Sequence, residues 1–233
     1  MRDIAAQPPR PPALLVIISA RWEASRVTVH LGQRPPMLHD YGGFPPEAYA
    51  LDWPARGAPD HGERAIALLR AASFAVDVER TRGFDHGTFV LTMLAWPRAD
   101  VPVLQVSLRR GLDPAEHLAL GRALAPLRDA GALVIGSGNS FHNLPRFFGA
   151  DARARSESQA FDTWLSDLVT FPYTARESSL AAWEQAPAAR ACHPREEHLI
   201  PLMVAAGAAG DDAGRVWWRG TMGGLTIAAH AFG

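Results

Sequence analysis

The fold is decided between residues 102 and 137, where the sequence reads PVLQVSLRRGLDPAEHLALGRALAPLRDAGALVIGS. Two short apolar runs, 102–107 and 132–137, enclose a stretch with the spacing of a helix. Short apolar runs without alternation are typical of strands that are covered on both faces of a parallel sheet. The stretch therefore predicts two parallel strands joined by a helix in a right-handed crossover.

The ends of the intervening helix are marked by residues that suit helix termini. Asp113 is the predicted N-cap, Pro114 sits at the first helical position, and Glu116 completes a capping box. Apolar residues then recur at intervals of three and four between residues 120 and 127, and Gly131 ends the helix.

Outward from this unit, the sequence predicts a single α/β domain with a mostly parallel central sheet flanked by helices. We expect the domain to span residues 13–233, preceded by a flexible, proline-rich segment at 1–12. Strands are predicted at 14–19, 26–31 and 74–78, helices at 60–72 and within 156–170 and 177–186, and a C-terminal hairpin at 216–229. A last helix is expected from His193 through Met203, kinked or restarted at Pro201.

Composition excludes several classes of protein. The 233 residues carry 23 basic and 24 acidic side chains, a balance that favours neither nucleic acid nor an anionic membrane surface as a partner. No apolar run reaches the roughly 18 residues of a membrane span, and the start lacks the features of a signal peptide. The one cysteine, Cys192, rules out an internal disulfide and fits a reducing compartment. We expect a cytoplasmic protein; whether it forms a homo-oligomer stays open.

Histidines lie in several glycine-rich or strand-ending turns. Because ligands of α/β sheets bind beyond the carboxyl ends of strands, the turns after Ser19 and Ser137 are candidate site segments. A single histidine is more often structural, and Cys192-His193 with His198 matches the spacing of no standard zinc site. From the residues alone, the prediction is a soluble α/β protein with a histidine-lined crevice.

Five motifs, taken together and in order, resemble the class III extradiol ring-cleavage dioxygenases, in the branch that includes the DOPA dioxygenases. The strand ending in Ser19-Ala20-Arg21-Trp22 is similar to the family's strand that ends in Ser-Ala-His-Trp. The other matching segments are His39-Asp40-Tyr41-Gly42-Gly43-Phe44-Pro45, Gly83-Phe84-Asp85-His86-Gly87, Gly138-Asn139 with His142-Asn143, and Glu197-His198 with Pro201-Leu202.

The resemblance implies an enzyme that opens the ring of a catechol-type aromatic with dioxygen, at a three-ligand site for Fe(II) or Zn(II). Such a site leaves positions open for the substrate and oxygen. It also implies roles for nine residues: His142 as acid and base with His86 beside the substrate, His198 with Glu197 as metal ligands, and Arg21, His39, Asp40, Tyr41 and Asn143 as pocket residues.

Two departures from the family pattern bear on the metal. Arg21 stands where the family has a metal-binding histidine, and the sequence starts downstream of the Gly-His-Gly-Ser-Pro turn that carries another ligand. Arginine only donates hydrogen bonds and stays protonated, so it cannot replace either ligand. Two of the three expected ligands therefore have no counterpart.

Three readings stay open at this point. In the first, the chain is a dioxygenase with another ligand set, or with a further N-terminal segment supplied by longer translation or by a partner chain. In the others, it is a non-catalytic relative that binds a small aromatic or anionic ligand, or an enzyme that needs no metal and uses His86 and His142. In the second reading, Arg21 suits a ligand carboxylate because its fork pairs with both oxygens. We also expect Arg21 to have a carboxylate partner in the chain, with Glu197 the candidate.

Overall fold

The structure is a computed structural model and describes residues 2–6 and 8–233. Its strands are β1 (Leu14–Ser19), β2 (Glu23–Ala24), β3 (Val27–His30), β4 (Val76–Glu79), β5 (Val103–Gln105), β6 (Leu108–Arg109), β7 (Ala132–Ser137), β8 (Gly214–Met222) and β9 (Leu225–Phe232). Its α-helices are α1 (Pro59–Ala71), α2 (His86–Ala95), α3 (Pro114–Leu124), α4 (Pro126–Asp129), α5 (Leu144–Phe147), α6 (Ala152–Val169), α7 (Tyr173–Ala181), α8 (Ala189–Cys192) and α9 (Ile200–Ala209). Short 3-10 helices form at Arg2–Ala6, Pro46–Tyr49 and Trp183–Gln185.

The central sheet has the order β5-β1-β7, and both outer strands run parallel to β1. The parallel arrangement of the runs at 102–107 and 132–137 is therefore confirmed, and β1 lies between them. All six residues of β1 are buried, as its uninterrupted apolar sequence indicates. Ser19 and Ser137 are register partners, so β1 and β7 end together at one edge of the sheet.

The helix that connects β5 to β7 begins as its sequence predicts. The Glu116 backbone N–H donates to Asp113 Oδ1 over 2.8 Å, which is the hydrogen bond of an N-cap. Two short parallel pairs, β2 with β6 and β3 with β4, complete the strands that precede residue 138. The predicted fold class, a parallel sheet flanked by helices with a C-terminal hairpin, is confirmed.

Backbone contacts divide the chain into two compact units. The first comprises Met1–Gly111 and Ala123–Ser137. Helices α1, α2 and α4 pack against its strands, and Leu15, Ile17, Trp53, Phe84 and Phe89 lie in one buried apolar cluster. In the segment expected to be flexible, Ile4 and Ala5 pack against this cluster, while Met1 and Gln7 lie outside the described residues. The flexibility of residues 1–12 and the domain limits stay predictions.

The second unit comprises Leu112–Arg122 and Gly138–Gly233. Helix α6 packs against both strands of the β8–β9 hairpin, whose turn uses Gly223 and Gly224 at positive φ. The predicted start of the last helix, at His193, is wrong. Helix α9 begins at Ile200, with Pro201 in its first turn. Proline is favoured there because the first helical N–H groups need no partner. Over residues 2–6 and 8–233, no helix is both long and apolar enough to cross a membrane.

Candidate functional site

A buried polar network occupies the edge of the sheet where β1 and β7 end. The Ser19 hydroxyl donates to Asp85 Oδ1 over 2.8 Å, and the Ser137 hydroxyl donates to the Gly87 carbonyl. A Cβ atom on Gly87 would lie 2.3 Å from Ser19 Oγ, so the helix can approach the strand this closely only with glycine there. The start of α2 is therefore tied to both strand ends.

Asp85 is the residue that organises this network. Its side chain is fully buried, and it caps α2 by accepting from the Thr88 N–H over 3.0 Å. Its other oxygen, Oδ2, accepts from Arg82 Nη2 over 3.1 Å. The sequence motifs indicated no role for Asp85 or Arg82. An aspartate four residues before the apolar stretch at 89–96 was the available signal.

Arg21, Asp40 and His86 form a connected cluster beside this network, which we call the Asp40 cluster. Arg21 Nε donates to Asp40 Oδ2 over 3.2 Å. Asp40 Oδ1 accepts twice from His86, from its backbone N–H over 3.0 Å and from ring Nδ1 over 2.7 Å. The expected partner of Arg21, Glu197, was wrong: the carboxylate is that of Asp40, which the sequence placed in the pocket without a partner.

The protonation state of the Asp40 cluster follows from its hydrogen bonds. Burial alone would raise the pKa of Asp40, but the His86 backbone N–H, the His86 ring and Arg21 together outweigh burial and lower that pKa. Asp40 is therefore an ionised acceptor near neutral pH. The hydrogen between it and His86 must lie on Nδ1, which leaves His86 Nε2 as the lone-pair nitrogen when the ring is neutral.

Aromatic rings line the loop that carries Asp40. The Tyr41 ring contacts the rings of His86 and Phe44, with centroids 5.7 and 5.3 Å apart. His39 packs edge-on against Tyr41, and its Nε2 lies 3.1 Å from the Leu51 carbonyl oxygen. Phe44 is more than half exposed. The loop thus presents an apolar aromatic surface next to a charged cluster.

The second unit holds a separate group, which we call the His142 cluster. Potential ligand atoms of His142, Glu197 and His198 all lie within 4.8 Å of one another. His142 Nδ1 is 3.0 Å from Glu197 Oε1, and the rings of His142 and His198 stack with centroids 3.5 Å apart. The other Glu197 oxygen lies 3.6 Å from Arg195 Nη1.

Backbone contacts hold the two loops of the His142 cluster together. The Asn139 N–H donates to the His198 carbonyl over 3.1 Å, and the His142 N–H donates to the Cys192 carbonyl over 3.0 Å. A Cβ atom on Gly138 would lie 2.1 Å from the His198 carbonyl oxygen, which explains the glycine at this position. Asn143 anchors the same loop, because its side-chain amide donates to Ala191 rather than capping α5.

Cys192 and His193, next to this cluster in sequence, have structural surroundings. The Cys192 thiol is buried, and burial raises its pKa to about 12. Burial lowers the pKa of His193 to about 4, so the neutral ring donates from Nε2 to the Ser140 carbonyl over 3.0 Å. These residues support the loop at 138–143 and are not among the potential ligands of the cluster.

The residue types of the His142 cluster suit a metal ion, and one of the two stacked rings must turn for both to bind it, because imidazole lone pairs lie in the ring plane. Two imidazoles and one carboxylate are a common ligand set for non-haem iron and for catalytic zinc. The 3.0 Å between His142 Nδ1 and Glu197 Oε1 is the distance of a hydrogen bond from the ring to the carboxylate, and a metal ion bound by both atoms would replace that hydrogen.

Comparison with known proteins identifies the family of the chain. Residues 1–224 match the family described as the catalytic LigB subunit of aromatic ring-opening dioxygenase. The chain belongs to this family. The resemblance found in the motifs is thereby confirmed. The predicted class, a dioxygenase and therefore an oxidoreductase, is the class of the LigB family.

Named relatives cover most of this chain. The dioxygenase tasH of Hapsidospora irregularis is 35% identical over 97% of this chain and 73% of its own length. The 4,5-DOPA dioxygenase extradiol of Beta vulgaris is 36% identical over 87% of this chain and 75% of its own length. A crystal structure of an uncharacterized protein from Escherichia coli K12 has a TM-score of 0.81 and 27% identity, covering 98% of this chain and 89% of that one.

The nine site residues predicted from the LigB-family motifs fall into two groups in the structure. The Asp40 cluster and its aromatic loop contain Arg21, His39, Asp40, Tyr41 and His86. The His142 cluster and its loop contain His142, Asn143, Glu197 and His198. Which of these residues contacts a ligand or a metal stays a prediction.

Proposed function

We propose that this LigB-family chain is a metal-dependent dioxygenase that opens the ring of a catechol-type aromatic, with the metal held by His142, Glu197 and His198. The observation that carries the proposal is the convergence of two imidazoles and a carboxylate within 4.8 Å. This set does not need the histidine that Arg21 replaces. It supplies three ligands from one unit of the chain.

In this proposal the three side chains act as ligands in their deprotonated forms. Glu197 contributes a carboxylate oxygen, and each imidazole contributes a ring nitrogen. A bound Fe(II) or Zn(II) ion would supply Lewis-acid binding of the catechol oxygens, and iron would also supply the reactivity toward dioxygen. His142 is thus proposed as a ligand, and the acid and base role falls to His86.

His86 is suited to take a proton from a ligand hydroxyl. Its Nδ1 is engaged by Asp40, so its Nε2 is the nitrogen that accepts and later returns the proton. His39 and Tyr41, in the same unit as His86, are the proposed ligand contacts there, because their rings would stack against an aromatic group.

Elemental analysis joined to an oxygen electrode tests the proposal. We expect the protein, loaded anaerobically with Fe(II) or Zn(II), to retain about one ion per chain. The iron form should consume dioxygen with a catechol and yield a ring-opened product. His198→Ala and Glu197→Gln should lose both metal and turnover, whereas His61→Ala and Glu63→Gln, in helix α1, serve as matched controls. Full turnover in Glu197→Gln would contradict the ligand assignment.

A second candidate is a non-catalytic relative that binds a small aromatic anion. It is favoured by the Arg21 side chain, which is 40% exposed and lies beside the aromatic loop. In that case, calorimetry should detect binding of a catechol carboxylic acid that Arg21→Ala abolishes, and the metal-loaded protein should consume no dioxygen with any catechol tested.

A further inference from the structure

We propose that Asp40 and Arg21 are positioning residues for His86: Asp40 fixes the orientation and tautomer of the His86 ring, and Arg21 holds Asp40 in place. The inference rests on the proposed role of His86 as acid and base, and it assigns Arg21 and Asp40 a task other than contact with the ligand.

The first support is that one oxygen of Asp40 holds His86 at two points. Oδ1 accepts from the His86 backbone N–H over 3.0 Å and from ring Nδ1 over 2.7 Å. The backbone contact also satisfies one of the donors at the start of α2, which have no partner within the helix. Because both contacts share an acceptor, the χ angles of His86 are restrained relative to the axis of α2.

The second support is the way in which Arg21 is anchored. Its Nε donates to Asp40 Oδ2, and its backbone N–H donates to Ser19 Oγ over 3.2 Å. Its carbonyl accepts from Arg82 Nη2 over 3.2 Å, and the same Arg82 nitrogen reaches Asp85. Arg21 thus connects Asp40 to the buried network at the end of β1, although its own side chain is partly exposed.

The third support is that both Asp40 oxygens are already engaged. Oδ2 faces Arg21 and Oδ1 faces His86, and only 19% of the Asp40 side chain is exposed. Tyr41 packs edge-on against the His86 ring, and the Arg82–Asp85 pair lies at the same end of α2. Asp40 therefore acts on the ligand through His86.

The tautomer of His86 gives a direct test. In protein labelled with 15N-histidine and studied at a pH where the ring is neutral, we expect Nδ1 to carry the hydrogen and Nε2 to be unprotonated. The His86 signals are assigned by their loss in His86→Gln. Asp40→Ala should reduce the population of the Nδ1–H form, while Asp100→Asn, which alters an exposed arginine–aspartate pair, should leave it unchanged. A parent ring protonated at Nε2, or an unchanged tautomer in Asp40→Ala, would overturn the proposal.

A double-mutant cycle tests Arg21. Arg21→Ala should lower the rate of oxygen uptake by about 10-fold, and Asp40→Ala should lower it by about 10- to 100-fold. Both losses should be smaller than the roughly 100- to 10,000-fold loss expected when the acid and base residue itself is removed. In the Asp40→Ala background, Arg21→Ala should cost little more, because the two residues act as one unit. Arg21→Lys should recover part of the loss, and Arg98→Ala is the matched control. Fully additive losses would overturn the pairing.

The two readouts separate this inference from the proposed function. If the parent shows no oxygen uptake but has the Nδ1–H tautomer and loses it in Asp40→Ala, the positioning of His86 stands and the dioxygenase proposal fails. If the parent is active but its His86 tautomer does not respond to Asp40, the proposed function stands and the positioning role fails.

Discussion

The two histidine clusters contain the same residue types but arrange them differently. In the Asp40 cluster, one histidine and one arginine occupy the two oxygens of a carboxylate. In the His142 cluster, two stacked histidines lie beside a carboxylate, and Arg195 Nη1 is 3.6 Å from that carboxylate. Both carboxylates therefore have an arginine within ion-pair distance, and the clusters differ in the second imidazole, which gives the His142 cluster three potential ligand atoms for a metal ion. We therefore propose proton transfer by His86 of the first cluster and metal binding by the second.

Removing one ligand from the His142 cluster should have the largest effect. Glu197→Gln and His198→Ala should each weaken Zn(II) binding by more than about 100-fold, because even the loss of groups that merely orient a ligand costs about 10- to 100-fold. Competition with a chelating dye measures the affinity. Asp40→Asn is the comparison from the other cluster and should change the affinity by less than about threefold; a larger loss there would break the distinction between the clusters.

The buried network around Asp85 should contribute more to the stability of the protein than an exposed aspartate does. Asp85→Ala should lower the free energy of unfolding by about 2 to 4 kcal/mol, from the lost cap of α2 and the unsatisfied Ser19 hydroxyl. Urea denaturation measures the change. Asp77→Asn, at a half-exposed aspartate, should cost less than about 0.5 kcal/mol. Equal effects would mean that Asp85 does not organise the network.

A side chain at Gly138, beside the His142 cluster, should destabilise the protein more than a side chain at Gly42, in the aromatic loop, does. Gly138→Ala forces a Cβ atom onto the His198 carbonyl and should cost about 1 to 3 kcal/mol. A Cβ on Gly42 would meet nothing within 4 Å, so Gly42→Ala should be nearly neutral. Thermal melts compare the two variants, and a Gly138→Ala protein as stable as the parent would contradict the close approach.

The smallest expected effect is a pH dependence that belongs to Asp40. Its pKa is lowered in the folded protein by the His86 and Arg21 hydrogen bonds, which outweigh burial. The resulting stabilisation is present above the unfolded pKa of about 4 and is lost as pH falls through the lower folded value. The difference in stability between the parent and Asp40→Asn should therefore shrink below pH 4. A difference that stays constant down to pH 2 would show that the charge of Asp40 is not involved.

The sequence predicted the elements whose signals are local. The crossover helix α3 and its flanking strands were marked by Asp113, Pro114 and two apolar runs. Helix α2 was missed because Gly87 and the β-branched Thr88, Val90 and Thr92 have low helix propensity, and burial against the sheet stabilises the helix instead. Tertiary packing, which the local sequence does not reveal, therefore determines that α2 is a helix.

Candidate site residues were predictable as types but not as partners. The LigB-family motifs predicted nine residues, all of which lie in or beside the two clusters. The motifs did not reveal that Asp40 pairs with Arg21, because the two residues are 19 positions apart in irregular loops. They also did not reveal that His142 faces Glu197, 55 positions later, because contacts between distant loops leave no periodic signal.

Anomalous diffraction from crystals soaked in Zn(II) or Fe(II) tests the central claim most directly, because it locates the ion itself. We expect one strong peak about 2.0 to 2.3 Å from a ring nitrogen of His142, a ring nitrogen of His198 and an oxygen of Glu197. A peak coordinated by His86 and Asp40, or an ordered His142 cluster with no ion at millimolar metal, would contradict it.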